Sequence, residues 1–270
     1  MLKIVTWLWG GDSSRSKDKI VFTANHVNIM KRMVSRNLSL PHEFVCITDN
    51  PKGIDKDIRA VEIWDNFRDF GGCYVRLKLF SNEMKEIIGD RFVSIDLDAV
   101  IVNDITPLFD RTEDFIIWGE HYRFSPYCCS LFMMNAGSRS HVWRSFSNDD
   151  YWFVKDNRLR RLYGTDQYYV NKCLYPYEKT WDVYDGVYNF NLHIRKWRGA
   201  KINRVFPSMF HDILYSSILG KNIGDRYVKK GGKADGKLPE DARIVFFNGK
   251  VDPSEFSNNN EYPWIKEHWC

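Results

Sequence analysis

Hydrophobic positions in the first half of the chain alternate between two periods. Leu2 to Trp9 and Phe44 to Thr48 read as short strands, closed by Gly10-Gly11-Asp12 and Asp49-Asn50-Pro51, both turn sequences. Between them, Ala24 to Arg36 places Val27, Met30 and Val34 at helical spacing. Ala60 to Trp64 predicts another short strand. Tyr74 to Ile88 predicts an amphipathic helix, with Leu77, Phe80, Met84 and Ile87 on one stripe and Gly89 as its stop. A strand from Phe92, a turn at Pro107 and a strand from Phe115 to Trp118 follow. Strands separated by helices predict an α/β fold with a mainly parallel central sheet flanked by helices.

The second half is less regular. Ser130 to Asn135 predicts a strand, Arg139 to Phe146 a helix, and Gly164-Thr165-Asp166-Gln167 the entry to a helix running through Cys173. Gly220 to Asp241 is rich in Gly and Lys and predicts a loop, before a last buried strand from Arg243 to Phe247. No repeat and no sharp change of composition divides the chain, so a single domain over 1–270 is expected.

One run departs from ordinary strand chemistry. In FVSIDLDAVIV, Phe92 to Val102, two carboxylates interrupt an apolar segment at Asp96 and Asp98. In an extended chain, residues two apart project to the same side, so both acids are expected to point together where the strand leaves the core. Two neighbouring buried carboxylates repel and lose hydration. A hard divalent cation removes that conflict and readily shares its coordination with phosphates. In mainly parallel sheets ligands sit at the carboxyl ends of the strands. Asp96 and Asp98 fall at such an end, and so does Gly10.

Composition narrows the partners. Lys+Arg 39 against Asp+Glu 35 gives a net charge of +4, too slight and scattered an excess to predict nucleic-acid binding, although it suits a small anionic substrate. The six cysteines lack metal-ligand spacing, so reduced thiols in a cytoplasmic setting are expected. MLKIVTWLWGG reads as a first strand rather than a signal segment. No apolar run approaches the ~20 residues of a transmembrane helix. His26, His121, His193 and His211 have no mutual spacing that marks a metal site and are expected in structural or surface roles.

SIDLDAVIVNDITPLF resembles the D-x-D segment of GT-A fold glycosyltransferases, especially those similar to glycosyltransferase family 8. Four further segments stand in that family's order: TWLWGG, YVRLKLF, YGTDQYYVN and VFFNGKVDP. The resemblance implies a GT-A (Rossmann-like) fold, with a donor part at about 1–135, an acceptor side at about 136–250 and a tail at 251–270. It implies transfer from a nucleoside-diphosphate sugar, UDP-sugar favoured, to a glycan or other hydroxyl acceptor. Retention of anomeric configuration and a Mn²⁺ or Mg²⁺ cofactor are also implied. By position, Asp98 would be a direct metal ligand, and Asp96 would contact the metal or the ribose, with Leu97 between them. Thr6, Trp7, Leu8 and Gly10 would line the base and ribose pocket, Arg76 and Lys78 would face the donor, and Asp166 and Gln167 would lie near the transferred sugar and acceptor.

The chain departs from that pattern near its C-terminus. Asn248 stands where the family usually has a histidine metal ligand, and Asp252 where a lysine is common, which leaves Lys250 as the nearby cation. An amide oxygen can coordinate a hard cation, so Asn248 is the expected third ligand. Tyr127-Cys128-Cys129 stands where relatives often carry an Asn.

Bond cleavage between sugar and phosphate leaves a charged diphosphate, which a preplaced positive charge stabilises. Arg76 and Lys78, two apart in a helix, cannot share one face, and Lys78 is slightly preferred as the inward one. Simpler roles compete with each of these. Asp96 and Asp98 could form a solvated turn, Asp166 a helix-start acid, Arg76 and Lys78 an exposed helix face, and Asn248-Gly249 a plain turn. The alternative to an enzyme is a non-catalytic GT-A-like module that binds nucleotide sugar or glycan.

Overall fold

Strand β1 (Leu2–Leu8) explains why a sheet forms at the centre of the molecule. Ile4 packs into one apolar cluster while Val5 and Trp7 pack into another, so the strand is buried on both faces. The computed structural model describes residues 1–10, 22–64, 72–119, 126–146, 166–195, 236–248 and 251–270. Within these, the remaining strands are β2 (His42–Thr48), β3 (Arg59–Glu62), β4 (Arg91–Ile95), β5 (Ala99–Ile101), β6 (Phe115–Trp118), β7 (Cys128–Asn135), β8 (Lys179–Trp181), β9 (Val187–Asn189) and β10 (Ile244–Phe246).

Seven strands form the main sheet in the order β3-β2-β1-β4-β7-β6-β8. The β1 pairs with β2 and β4, the β2–β3 pair and the β6–β8 pair are parallel, whereas β7 runs antiparallel to β4 and β6. The expected mainly parallel α/β architecture is therefore present. Helix α1 (Ala24–Asn37) lays Val27, Met30, Met33 and Val34 on one face of the sheet. The other face is covered by Tyr74, Leu77 and Phe80, by Val142 of α4 (Ser140–Ser145) and by Tyr169 of α5 (Asp166–Leu174). Two short helices, α2 (Met84–Ile87) and α3 (Thr106–Phe109), stand on either side of β4 and β5 in the chain.

Two sequence expectations need correction. Tyr74 to Ile88 is not one amphipathic helix. It is a 3₁₀ segment, Gly72–Phe80, followed by turns and the four-residue α2. Tyr74, Val75, Leu77, Leu79 and Phe80 are all buried, a pattern too continuous for the single apolar stripe of a surface α-helix. The acidic run is likewise not one strand. It breaks at Asp96-Leu97-Asp98, with β4 before the break in the main sheet and β5 after it in a second, three-stranded sheet ordered β5-β10-β9. The Gly220 to Asp241 loop lies mostly outside the described residues.

The second sheet packs against the first through aromatic contacts. Trp118 at the end of β6 stacks on Phe246 of β10 with ring centroids 4.6 Å apart, while on the second sheet's own side Phe190, just after β9, stacks on Phe247, just after β10, at 4.3 Å. Helices α6 (Pro253–Phe256) and α7 (Pro263–His268) close this end, with Phe256, Tyr262 and Trp264 ringed around Phe190. Among the described residues no helix is long and apolar enough to cross a membrane. All six cysteines are free thiols. Replacing the fully buried Trp118 by Ala leaves a cavity where the two sheets meet, so Trp118→Ala is expected to cost about 3–5 kcal/mol in equilibrium denaturant unfolding.

Candidate active site at the junction of the two sheets

The D-x-D segment is the passage from one sheet to the other, and backbone hydrogen bonds hold both of its ends. The Asp96 amide donates to the Ser130 carbonyl of β7 at 2.9 Å, while the Phe247 amide donates to the Asp98 carbonyl at 2.7 Å. Leu97 between them is buried. The carboxylates are thus placed by two ladders at once, at the carboxyl end of β4. The carboxyl end of β1 lies on the same edge, since Val5 pairs with Ser94 in parallel register. There the Gly10 amide donates to both carboxylate oxygens of Asp49, at 3.3 and 3.2 Å.

Arg76 gathers two of the other predicted residues, Asp96 and Asp166. Its Nη1 pairs with Asp96 Oδ1, and its Nε and Nη2 reach Asp166 Oδ2 at 2.9 and 2.8 Å. The Arg76 and Asp166 side chains retain 13% and 4% exposure, so little water screens these contacts. Burial pushes the Arg76 guanidinium toward deprotonation, but the charges of Asp166 and Asp96 outweigh it and hold its pKa well above the ordinary value. Burial likewise raises the Asp166 carboxyl, and Arg76 opposes that rise. Asp166 opens α5, which a second clasp fixes: the Asn171 amide group accepts from Tyr127 N at 2.8 Å and donates to Tyr127 O at 2.7 Å. Asn171 also donates to the Gln167 carbonyl at 2.7 Å. Asn171 went unremarked in the sequence because its role depends on the approach of α5 to the start of β7.

Asp98 is in a different state. Its Oδ1 is buried and accepts no hydrogen bond from any described residue. Burial first, then the charges of Asp96 and Asp252, hold its carboxyl well above the ordinary range. A buried carboxylate oxygen with no donor is costly, and a divalent cation with oxygen ligands is the group that fits it. Asp98 and Asp96 are the residues that would hold such a cation, although Oδ1 of Asp96 is already engaged by Arg76. Among the described residues no three His, Cys, Asp or Glu side chains converge closely enough to form a closed metal cage. An open site of that kind leaves coordination positions for phosphate and water.

The other predicted residues are distributed as follows. Lys78 pairs with Glu83 at 3.1 Å and lies over the Trp64 ring at 5.1 Å, so the cation touching D-x-D is Arg76, not the slightly preferred Lys78. Thr6 is fully buried with its hydroxyl unpartnered among the described residues, and Trp7 meets Trp9 and Trp64 edge to face. Leu8 ends β1 partly buried. Asn248 follows β10; its Nδ2 lies 3.7 Å from Cys128 Sγ, and its carbonyl accepts from Asn191 at 2.8 Å. Lys250 lies outside the described residues.

Two residues at this site carried no recognised role in the sequence. Asp252 is 1% exposed and caps α6, and His26 of α1 reaches it from across the fold, Nε2 to Oδ1 at 3.5 Å. Burial pushes the Asp252 carboxyl up, but the contacts from His26 and Ser254 hold it below its ordinary value. As they stand 226 positions apart in the sequence, no local spacing could have paired them.

This is the α/β architecture of the GT-A fold, with its acidic segment at the crossover between sheets. The chain superimposes on the galactosyltransferase LgtC, solved in complex with donor and acceptor sugar analogs, with a TM-score of 0.55 and 13% identity over 98% of this chain and 96% of that one. It is similarly related to the glycosyltransferase GlyE of Streptococcus pneumoniae TIGR4, with a TM-score of 0.55 and 10% identity over 99% of this chain and 63% of that one. At such identities the likeness is one of fold. No family model matches the chain, and no curated protein matches it in sequence.

Two outcomes follow for the unloaded protein. Removing Arg76 leaves Asp96 and Asp166 without their shared counter-charge, so Arg76→Leu is expected to destabilise by about 3–5 kcal/mol in chemical unfolding. Because the folded pKa of Asp98 is raised, its contribution to stability is present below the unfolded carboxyl value and is lost as pH rises through the folded one. In EDTA, Asp98→Asn is therefore expected to match or exceed the wild-type unfolding midpoint, by a margin that widens from pH 4 to pH 8. A loss of stability independent of pH would contradict this placement of the charge.

Proposed function

We propose that this protein is a metal-dependent glycosyltransferase that moves a sugar from a nucleoside-diphosphate donor, UDP-sugar favoured, to a hydroxyl acceptor with retention of configuration. The observation that carries the reading is the buried Oδ1 of Asp98, which no described donor satisfies, at the crossover of a GT-A fold. A Mn²⁺ or Mg²⁺ bound there would supply positive charge for the departing diphosphate. The carboxyl ends of β1 and β2 would receive the nucleoside, with the Trp7, Trp9 and Trp64 cluster as an apolar wall. Arg76 would hold Asp96 and Asp166 apart and oriented, and Asp166 and Gln167 at the start of α5 would meet the sugar and acceptor hydroxyls. The free thiols accord with a reducing, cytoplasmic setting.

One observation favours the second reading, a module that binds nucleotide sugar without turnover. Arg76, the described cation in contact with D-x-D, is already paired with two acids, so among the described residues no site cation is committed to a phosphate. A panel of nucleotide sugars incubated with Mn²⁺ separates the two. Transfer or slow donor hydrolysis that falls at least 100-fold in Asp98→Ala, while the fold is kept, is the expected result. Donor binding with no product under any condition would assign the module.

A further inference from the structure

We propose that Asp252 supplies a further protein carboxylate, from outside the D-x-D segment, to the divalent cation at Asp98, with His26 as the residue that positions it. The proposal rests on the metal-dependent reading above and extends it to residues outside the D-x-D segment.

The two oxygens of Asp252 are used very differently. Oδ1 accepts from the Ser254 amide at 2.9 Å and from the Ser254 hydroxyl, and it faces His26 Nε2 at 3.5 Å. Oδ2 is buried and accepts no hydrogen bond from any described residue. Capping α6 requires Oδ1 alone, and a Ser or Asn would cap as well without burying a charge. A carboxylate only 1% exposed with one bare oxygen is costly unless a positive charge faces it.

Asp98 presents the complementary half of the arrangement. Its own Oδ1 is buried and bare, and the Asp252 charge acts on it. The backbone bond from Phe247 to Asp98 brings the chain that leads to Asp252 alongside the D-x-D segment. Each acid keeps one buried oxygen that no described group satisfies, and a cation shared between them would satisfy both. Two carboxylates, with substrate phosphate and water completing the shell, form the usual environment of Mg²⁺ and Mn²⁺.

The His26 ring is fixed so as to serve this role. Its Nδ1 accepts from the Thr23 amide at 3.1 Å, so the proton of the neutral ring sits on Nε2, which faces Asp252 Oδ1. Oδ1 is bonded by Ser254 and faced by His26 at 3.5 Å, and Oδ2 is left for the cation, the way outer partners orient metal-binding carboxylates.

Titration with Mn²⁺ alone, read by the electron paramagnetic resonance signal of the free ion, tests the assignment on the full chain. Wild-type protein is expected to bind one Mn²⁺, and Asp98→Asn to lose it. Asp252→Asn and Asp252→Ser, which keep a cap for α6, are expected to weaken binding about tenfold or more, with metal-free melting unchanged or raised. His26→Gln is expected to weaken Mn²⁺ binding without altering metal-free melting. If both Asp252 variants bind Mn²⁺ within twofold of wild type while Asp98→Asn does not bind, Asp252 is a helix cap only and the metal-dependent reading stands. If wild-type protein binds no Mn²⁺ at millimolar concentration, both fail. Crystals of unsubstituted protein soaked in MnCl₂ read the same question without a variant. An anomalous peak bonded to Asp98 and Asp252 supports the assignment, and one bonded to Asp98 but not Asp252 overturns it.

Discussion

Three carboxylates, Asp96, Asp98 and Asp166, share the field of one guanidinium where the two sheets meet, and the rest of the site follows from that imbalance. Arg76 neutralises part of the charge by pairing with Asp96 and Asp166. Asp252 is buried and Asp98 partly so, each with a buried oxygen that no described group satisfies. A protein interior tolerates such an excess only if protons or cations enter with it. The burial that raises the Asp98 carboxyl therefore also prepares a cation position.

The fold creates this condition by making the chain change sheets at the acids. The Asp96 backbone is held by the β7 ladder and that of Asp98 by the chain leaving β10, which fixes the points from which both carboxylates project. The Trp118–Phe246 stack joins the two sheets behind them. The N-terminal turn of α1 contributes as well, since His26 touches Asp252 from the opposite end of the sequence.

Much of this was legible in the sequence where the signal was local. The strand ending at Trp118 and helix α1 followed from hydrophobic period and turn residues, and the two acids stood out against an apolar run. Three features were not legible, each for a physical reason. The break between β4 and β5 depends on which strand each half pairs with, which alternation along the run does not encode. The 3₁₀ form of Gly72–Phe80 follows from burial on nearly every side, which only the surrounding helices and strands impose. The choice of Arg76 over Lys78 as the inward cation turns on a rotation that sequence spacing leaves open. Strands β8 and β9, three residues each, are too short to show a period.

The central claim is that a cation at Asp98 joins the protein to a diphosphate. Calorimetric titration of UDP into the metal-free protein and into the Mn²⁺-loaded protein measures that coupling directly. The account predicts saturable UDP binding with Mn²⁺ present and its loss on addition of EDTA. Equal UDP affinity with and without the metal would contradict it.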